Sequence, residues 1–462
     1  MKNFIFLLLT TIVVVNISCK KGDWYDVKSD QRLAVPVTLR DMQALMDDAS
    51  TLNTNTPYLK ELASDGHYLS DASLLTLGGI NKNAYSWSKV EQYLNVQDWI
   101  ANGFSGSYRK VYYSNLVLDG LVKLELKDMD RFELENIKGQ ALFHRSLAFF
   151  ELAQVFSPTY DPLKASDGLG IPLRLESDVT IPSTRSTIQQ SYAQIINDLL
   201  KAKVMLPVNS LYNTRPGKRA VFALLARVNL SMEKYEDAKI YADSCLNINS
   251  ALMDYTEFNL STVDNPISVN NSEVIFYSSM GETTPLAFNN NLIDTEWYNS
   301  YNQNDLRKKV FFNKNFLSGV VTYKGTYCGR GFNQYFTGLA TDEIYLIRAE
   351  CYAREGKILE SMADLNTLLR TRWAGIYTEM TATNSEDALR KVLEERKKEL
   401  ILRGLRWSDL RRLNRDPRFA VTLNRTIGGK IYTLEPNSYK YTFPIPDDII
   451  EMTGMAQNPG WE

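Results

Sequence analysis

The chain has almost no histidine: His67 and His144 are the only two among 462 residues. It also lacks H-E-x-x-H, C-x-x-C and paired Cys/His ligands, so neither a metal centre nor a cofactor is expected. G-x-S-x-G and a P-loop are missing too, which removes the motif support for nucleophile-elbow hydrolases and phosphate-cradling enzymes. Net charge is small, with 52 basic residues against 54 acidic ones, so no nucleic-acid track or anionic membrane patch is indicated. No Pro/Ser/Gly-rich or charged linker interrupts the body of the chain. One compact structural unit is therefore expected despite the length.

Long apolar runs are confined to Phe4–Val15, which follows the positive Lys2 and leads to Cys19. That run is too short to stay in a bilayer as a spanning helix and reads as an export segment. Cleavage before Cys19 would expose an N-terminal cysteine for lipid attachment; the alternative is an ordinary signal peptide with an incidental cysteine. Residues 1–18 are thus expected to be a lipoprotein signal peptide and 19–35 a lipid-anchored tether. Cys245, Cys328 and Cys351 then form an odd set, so at least one stays a thiol.

What the chain has in quantity is helical periodicity. In Thr341–Arg370 the apolar residues fill two helices separated by Gly356. A third helix is expected to start at the polar run Thr383-Asn384-Ser385 and to end at Gly404, with a short fourth over Arg406–Leu413. Lys218–Ser250 carries Ala226 and Ala238 twelve apart with Tyr235 before the second, the spacing of a tetratricopeptide unit, although Asn229 stands where a large residue is expected. A second unit is split, with Arg131–Phe156 as one helix and Ile188–Leu206 as its partner around a Pro/Gly-punctuated excursion. Such hairpins bury their faces by stacking, so the expected fold is mainly α, a tetratricopeptide-like helical-hairpin bundle.

Within Leu389, Val392, Leu393 and Leu400, Arg396 falls on the apolar stripe, so its guanidinium needs a carboxylate. Glu399 and Asp409 are the candidates, and the group reads as a structural staple rather than a catalytic cluster. Two stretches escape the repeats, Tyr58–Gly106 and Asn259–Thr341, both rich in Asn, Gly, Ser, Tyr and Trp. Aromatic faces stack on sugar rings or peptide side chains while Asn and Asp give directed hydrogen bonds. From these segments Trp87 and Trp297 are the expected stacking platforms, with Tyr85 and Tyr298 beside them and Asp65 as polar partner, in one shared site on the loop-built side. The competing reading makes the same aromatics satellite core.

Three blocks, EIYLIRAECYAREG, LEERKKELILRGLRWSDLRRL and FPIPDDIIEMTGMAQNPGW, resemble the SusD/RagB family, and the segment from Tyr25 to Asp48 does so as well. The resemblance implies a non-enzymatic outer-membrane lipoprotein, fatty-acylated (palmitate) at Cys19; its N-terminal part is 36–280 and its C-terminal part 281–462, within the one compact unit. It also implies an oligosaccharide or peptide ligand and a SusC-type TonB-dependent transporter as partner. An exported hydrolase is the alternative, since a glycosidase needs only two carboxylates. A cytosolic repeat scaffold is opposed by the export segment.

Overall fold

The computed structural model describes residues 36–88, 104–124, 130–261, 264–280, 284–288, 290–329 and 334–461. Cys19 and the signal and tether segments lie outside the described residues. Ten helices carry the architecture: α1 (Leu39–Met46), α2 (Phe104–Val122), α3 (Arg131–Phe156), α4 (Ile188–Met205), α5 (Lys218–Ser231), α6 (Tyr235–Ile248), α7 (Thr341–Arg354), α8 (Ile358–Arg370), α9 (Ser385–Glu399) and α10 (Arg406–Leu413). Chain neighbours pack together from α2 to α8, α4 lies on α5 and α6 on α7, so the hairpins stack into one bundle. Among the described residues no helix is long and apolar enough to cross a membrane.

Local chemistry fixes the ends. At α4 the Thr187 hydroxyl accepts from Gln190 N while the Gln190 side chain accepts from Thr187 N, a reciprocal box that satisfies two otherwise orphaned donors. Asn384 caps α9 by accepting from Asp387 N at 2.9 Å. Gly356, at φ +80°, closes α7 in the left-handed region. α9 stops at Glu399, short of the expected Gly404, because Leu402 (φ 56°) already leaves helical geometry and Gly404 (φ 70°) completes the turn. The Asn229 amide donates to Leu225 O at 2.8 Å, so this buried polar residue is satisfied one turn back.

From Gly139 onward α3 is buried all round and forms the axis of the core. His144 lies fully buried on it, its ring edge-on to Phe143 and Phe276, and neither ring nitrogen has a partner among the described residues. Burial, aided by the Lys110 charge, pushes the imidazole down to about 3 from the usual 6.5. A folded-state value below the unfolded one means that stability is lost as pH falls through 6.5 toward 3. His144→Leu should therefore be about 1 kcal/mol more stable than the parent at pH 7, since the orphan nitrogens are gone, and about 2 kcal/mol further ahead at pH 5. Urea midpoints at the two pH values check this. A variant that is less stable at both would show that the imidazole is satisfied.

Beside the bundle sits a small antiparallel sheet of β1 (His67–Leu69), β2 (Asn291–Ile293), β3 (Phe312–Lys314) and β4 (Val321–Tyr323), in the order β1-β2-β4-β3. A separate hairpin pairs Leu423–Ile427 with Lys430–Leu434.

Candidate functional site

The two loop-rich segments meet at the β1–β2 ladder, where His67 faces Ile293 and Leu69 faces Asn291. Gly66 O accepts from Asp294 N at 3.0 Å, extending the contact by one step. Asp294 then caps the short helix Thr295–Asn299 by accepting from Trp297 N at 2.9 Å. Gly66, at φ +88°, is required by close approach: a Cβ there would stand 2.5 Å from the Trp297 ring.

Four of the five expected ligand residues converge on the stretch from Leu62 to Leu69. Asp65 takes both Nε and Nη2 of Arg406, at 2.6 and 2.8 Å. Burial would raise its carboxyl, but Arg406 and then Lys397 hold it below the usual range. Trp297 is 6% exposed, with Lys397 Nζ 3.9 Å from the ring centroid. On the other flank Trp87 is 3% exposed, sits in the left-handed region at φ 51°, and donates its indole N–H to Ala63 O at 2.9 Å. Tyr85 is also 3% exposed, and its hydroxyl accepts from Leu69 N at 3.1 Å. Arg425 lies over both rings, 3.9 Å from Tyr85 and 4.6 Å from Trp87, and donates to Leu62 O, Ser64 O and Tyr85 O. The aromatic faces are thus occupied by protein cations.

Tyr298 differs in exposure alone: it is only half-buried, its ring edge-on to Phe312, with Lys308 Nζ and Lys314 Nζ over the ring at 4.6 and 5.2 Å from the centroid. The exposed residues Asn302, Gln303 and Asn304 follow on the same turn. This turn is tied to the bundle by Tyr301, whose hydroxyl donates to Lys398 O at 2.8 Å.

Behind the loops lies a buried charge network. Arg396 donates through Nε to Asp409 at 2.8 Å, and Asp409 also receives Arg412, which is bidentate to Glu350. Glu399 is not the partner of Arg396: its two oxygens accept from Arg372 (2.9 Å) and Arg307 (3.0 Å). These arginines come from segments 92 and 27 residues away in sequence. Arg307 further binds Asp305 and Glu395, so the turn Asp305-Leu306-Arg307 is a junction of the network. Glu273, Asp342 and Glu399 bring carboxylate oxygens within 4.8 Å of one another. Arg372 lies on Glu273 and Glu399, and Arg403 on Asp342 at 3.0 Å, so guanidinium groups supply the positive charge this trio needs. Burial still pushes the Glu273 carboxyl up to about 7, against the pull of Arg372. Arg372, Arg406 and Arg425 are the residues that sequence reasoning missed. A buried arginine carries no local signature when its acids lie far along the chain.

A family described as starch-binding and associating with the outer membrane matches residues 23–230, and the SusD family matches residues 286–461. No functionally curated protein sequence matches the chain. Among solved structures, a SusD superfamily protein from Bacteroides vulgatus ATCC 8482 superposes with a TM-score of 0.73 at 21% identity, over 92% of this chain and 99% of that one. A putative sugar binding protein from the same organism gives 0.73 at 20% identity, over 93% and 100%. A SusD superfamily protein from Bacteroides thetaiotaomicron VPI-5482 gives 0.73 at 22%, over 92% and 100%.

Proposed function

The chain belongs to the SusD/RagB family, and from that premise we propose that it is a surface-exposed outer-membrane lipoprotein that binds an oligosaccharide and delivers it to a SusC-type TonB-dependent transporter. The family is one of outer-membrane-associated sugar-binding proteins. In this reading a lipid on Cys19 anchors the chain at the cell surface, where the transporter meets it. The observation that carries the binding reading is the family match on both sides of the β1–β2 ladder that joins the loop-rich segments. In this reading the five expected residues work in two tiers. Tyr298, with Asn302 and Asn304, offers the least buried of these rings and the amides, and the ligand packs against it beside Lys308 and Lys314. Asp65, Tyr85, Trp87 and Trp297 form the layer beneath, which holds the loops in place.

Affinity electrophoresis against neutral and acidic oligosaccharides tests it. Retarded migration without cleavage is expected, and Tyr298→Ala should weaken binding by about 1 to 2 kcal/mol while melting is unchanged. Cleavage products would replace the binding reading with an exported hydrolase. Binding untouched by the Tyr298 change would move the site elsewhere.

A further inference from the structure

An open pocket of about 330 Å³ lies where the 157–168 loop that leaves α3 meets the end of α10 and the C-terminal loop 437–461. None of its walls comes from the two loop-rich segments that build the Tyr298 turn, so it is a separate place on the molecule. Tyr439 forms one wall, and its ring is 47% exposed. The ring is nevertheless fixed. Gly460, at φ +86°, passes so close that a Cβ there would stand 2.6 Å from it, and the Trp461 ring meets it edge-on at 5.3 Å. Trp461 is itself buried and donates its indole N–H to Thr442 O at 2.8 Å. Cations lie over Trp297, Tyr85 and Tyr298, whereas among the described residues none lies over Tyr439.

The polar groups around the same space come as donor and acceptor together. Asp161 accepts from Arg415 at 2.9 Å and from Leu163 N at 3.0 Å, and Arg415 also holds Glu233 at 2.7 Å. Asp161 and Arg415 are both only part-buried, so the pair offers an acceptor beside a donor, which vicinal hydroxyls match. The Thr159 hydroxyl accepts from Arg411 Nε at 3.2 Å and keeps its own proton to donate. Asn437 is anchored by donating to Asn414 O at 2.8 Å, and Lys164 stands exposed at the rim. The floor beneath them is rigid. Arg411 is buried and donates to Ala153 O, Gln154 O and Ser157 O, carbonyls in and just beyond the last turn of α3 that the helix leaves without partners. Asn458 ties the C-terminal loop to the same helix end by donating to Phe156 O at 3.0 Å and to Phe443 O at 2.7 Å. An aromatic face and directed polar groups on loops fixed in this way are preorganised for a ligand that is apolar on one face and hydroxylated at its edge.

We propose that this pocket is a second saccharide-binding site, in which one pyranose ring of a glycan lies on Tyr439 and its hydroxyls bridge Asp161 and Arg415. The site rests on the reading that the chain binds oligosaccharides, and it adds a contact separate from the Tyr298 turn.

Affinity gels containing amylopectin, xylan, galactomannan or pectin, run with the full chain, test it. On the polysaccharide that retards the parent, Tyr439→Ala should bind about fivefold or more weakly with its melting curve unchanged, and Tyr439→Phe, which keeps the ring, should match the parent. Retardation of Tyr439→Ala equal to that of the parent would overturn this site and leave the oligosaccharide reading standing. Failure of all four polysaccharides to retard the parent would overturn both. If Tyr439→Ala does not fold, crystals of the parent soaked in an oligosaccharide cut from the retarding polysaccharide decide. A sugar ring on Tyr439 upholds the site, and density only elsewhere, or none, overturns it.

Discussion

Arg372→Ala is expected to lower the unfolding free energy by about 3 to 5 kcal/mol, because it strands two buried carboxylates at once. The Arg372 side chain is fully buried, with Nε on Glu399 at 2.9 Å, Nη2 on Glu273 at 2.7 Å and Nη1 on Met253 O at 2.7 Å. Its guanidinium also lies 4.1 Å from the Tyr255 ring centroid. Without it, Glu273 and Glu399 would face each other and Asp342 with only Arg307 and Arg403 left to compensate. The Glu273 carboxyl is already pushed up to about 7 by burial, and losing Arg372 raises it further. An acid whose folded-state pKa lies above its unfolded value costs stability as pH rises, and the cost is removed once the folded state takes up the proton. The deficit of the variant should thus be largest near pH 8 and shrink toward pH 5.5. Arg372→Lys should not restore stability, since one ammonium cannot serve two carboxylates and a carbonyl in a fixed plane. Urea midpoints at both pH values are the measurement. A deficit under about 1 kcal/mol would show that the network is dispensable, and a larger one independent of pH would show that Glu273 protonation does not govern the loss.

The parts of this fold that could be read from the chain are those with local causes. The extent of α3 follows from the apolar run through Ala141, Leu142, Leu147, Ala148 and Leu152, which ends before Pro158, and that of α5 and α6 from the Ala226, Tyr235 and Ala238 spacing. Arg396 and Asp409 lie thirteen residues apart on adjoining helices, close enough for the stripe argument to pair them. Glu399 shares the same helix, but whether its carboxylate turns toward Arg396 or toward Arg307 and Arg372 depends on loops that arrive from 92 and 27 residues away. The candidate site was legible as a meeting of two segments, because neither is long enough to close on itself. Which rings stay open was not legible. Composition shows that Trp87, Trp297 and Tyr298 are present, whereas burial depends on Arg425, Lys397 and Gly66, which pack on them only after folding.

Trp297→Ala separates the two tiers of the proposed site. The indole rests on Gly66, is covered by Lys397 and has Arg406 5.8 Å from its centroid, so removing it opens a cavity at the joint between the two loop segments. A buried Trp→Ala change costs about 3 to 5 kcal/mol, and the Trp297 N–H, which has no partner among the described residues, returns only a small part of that. The Lys397 ammonium, already pushed down by burial, loses the ring face that offsets its desolvation. The expected result is a marked fall in melting temperature, with oligosaccharide affinity measured below the new transition within about twofold of the parent. Tyr298→Ala should behave in the opposite way, with its melting preserved and its affinity reduced. Melting curves and binding titrations on the two variants make the comparison. If Trp297→Ala melts like the parent and loses ligand, the ring is a stacking platform after all, and the contact surface lies at Gly66 and Lys397 instead of at the Tyr298 turn.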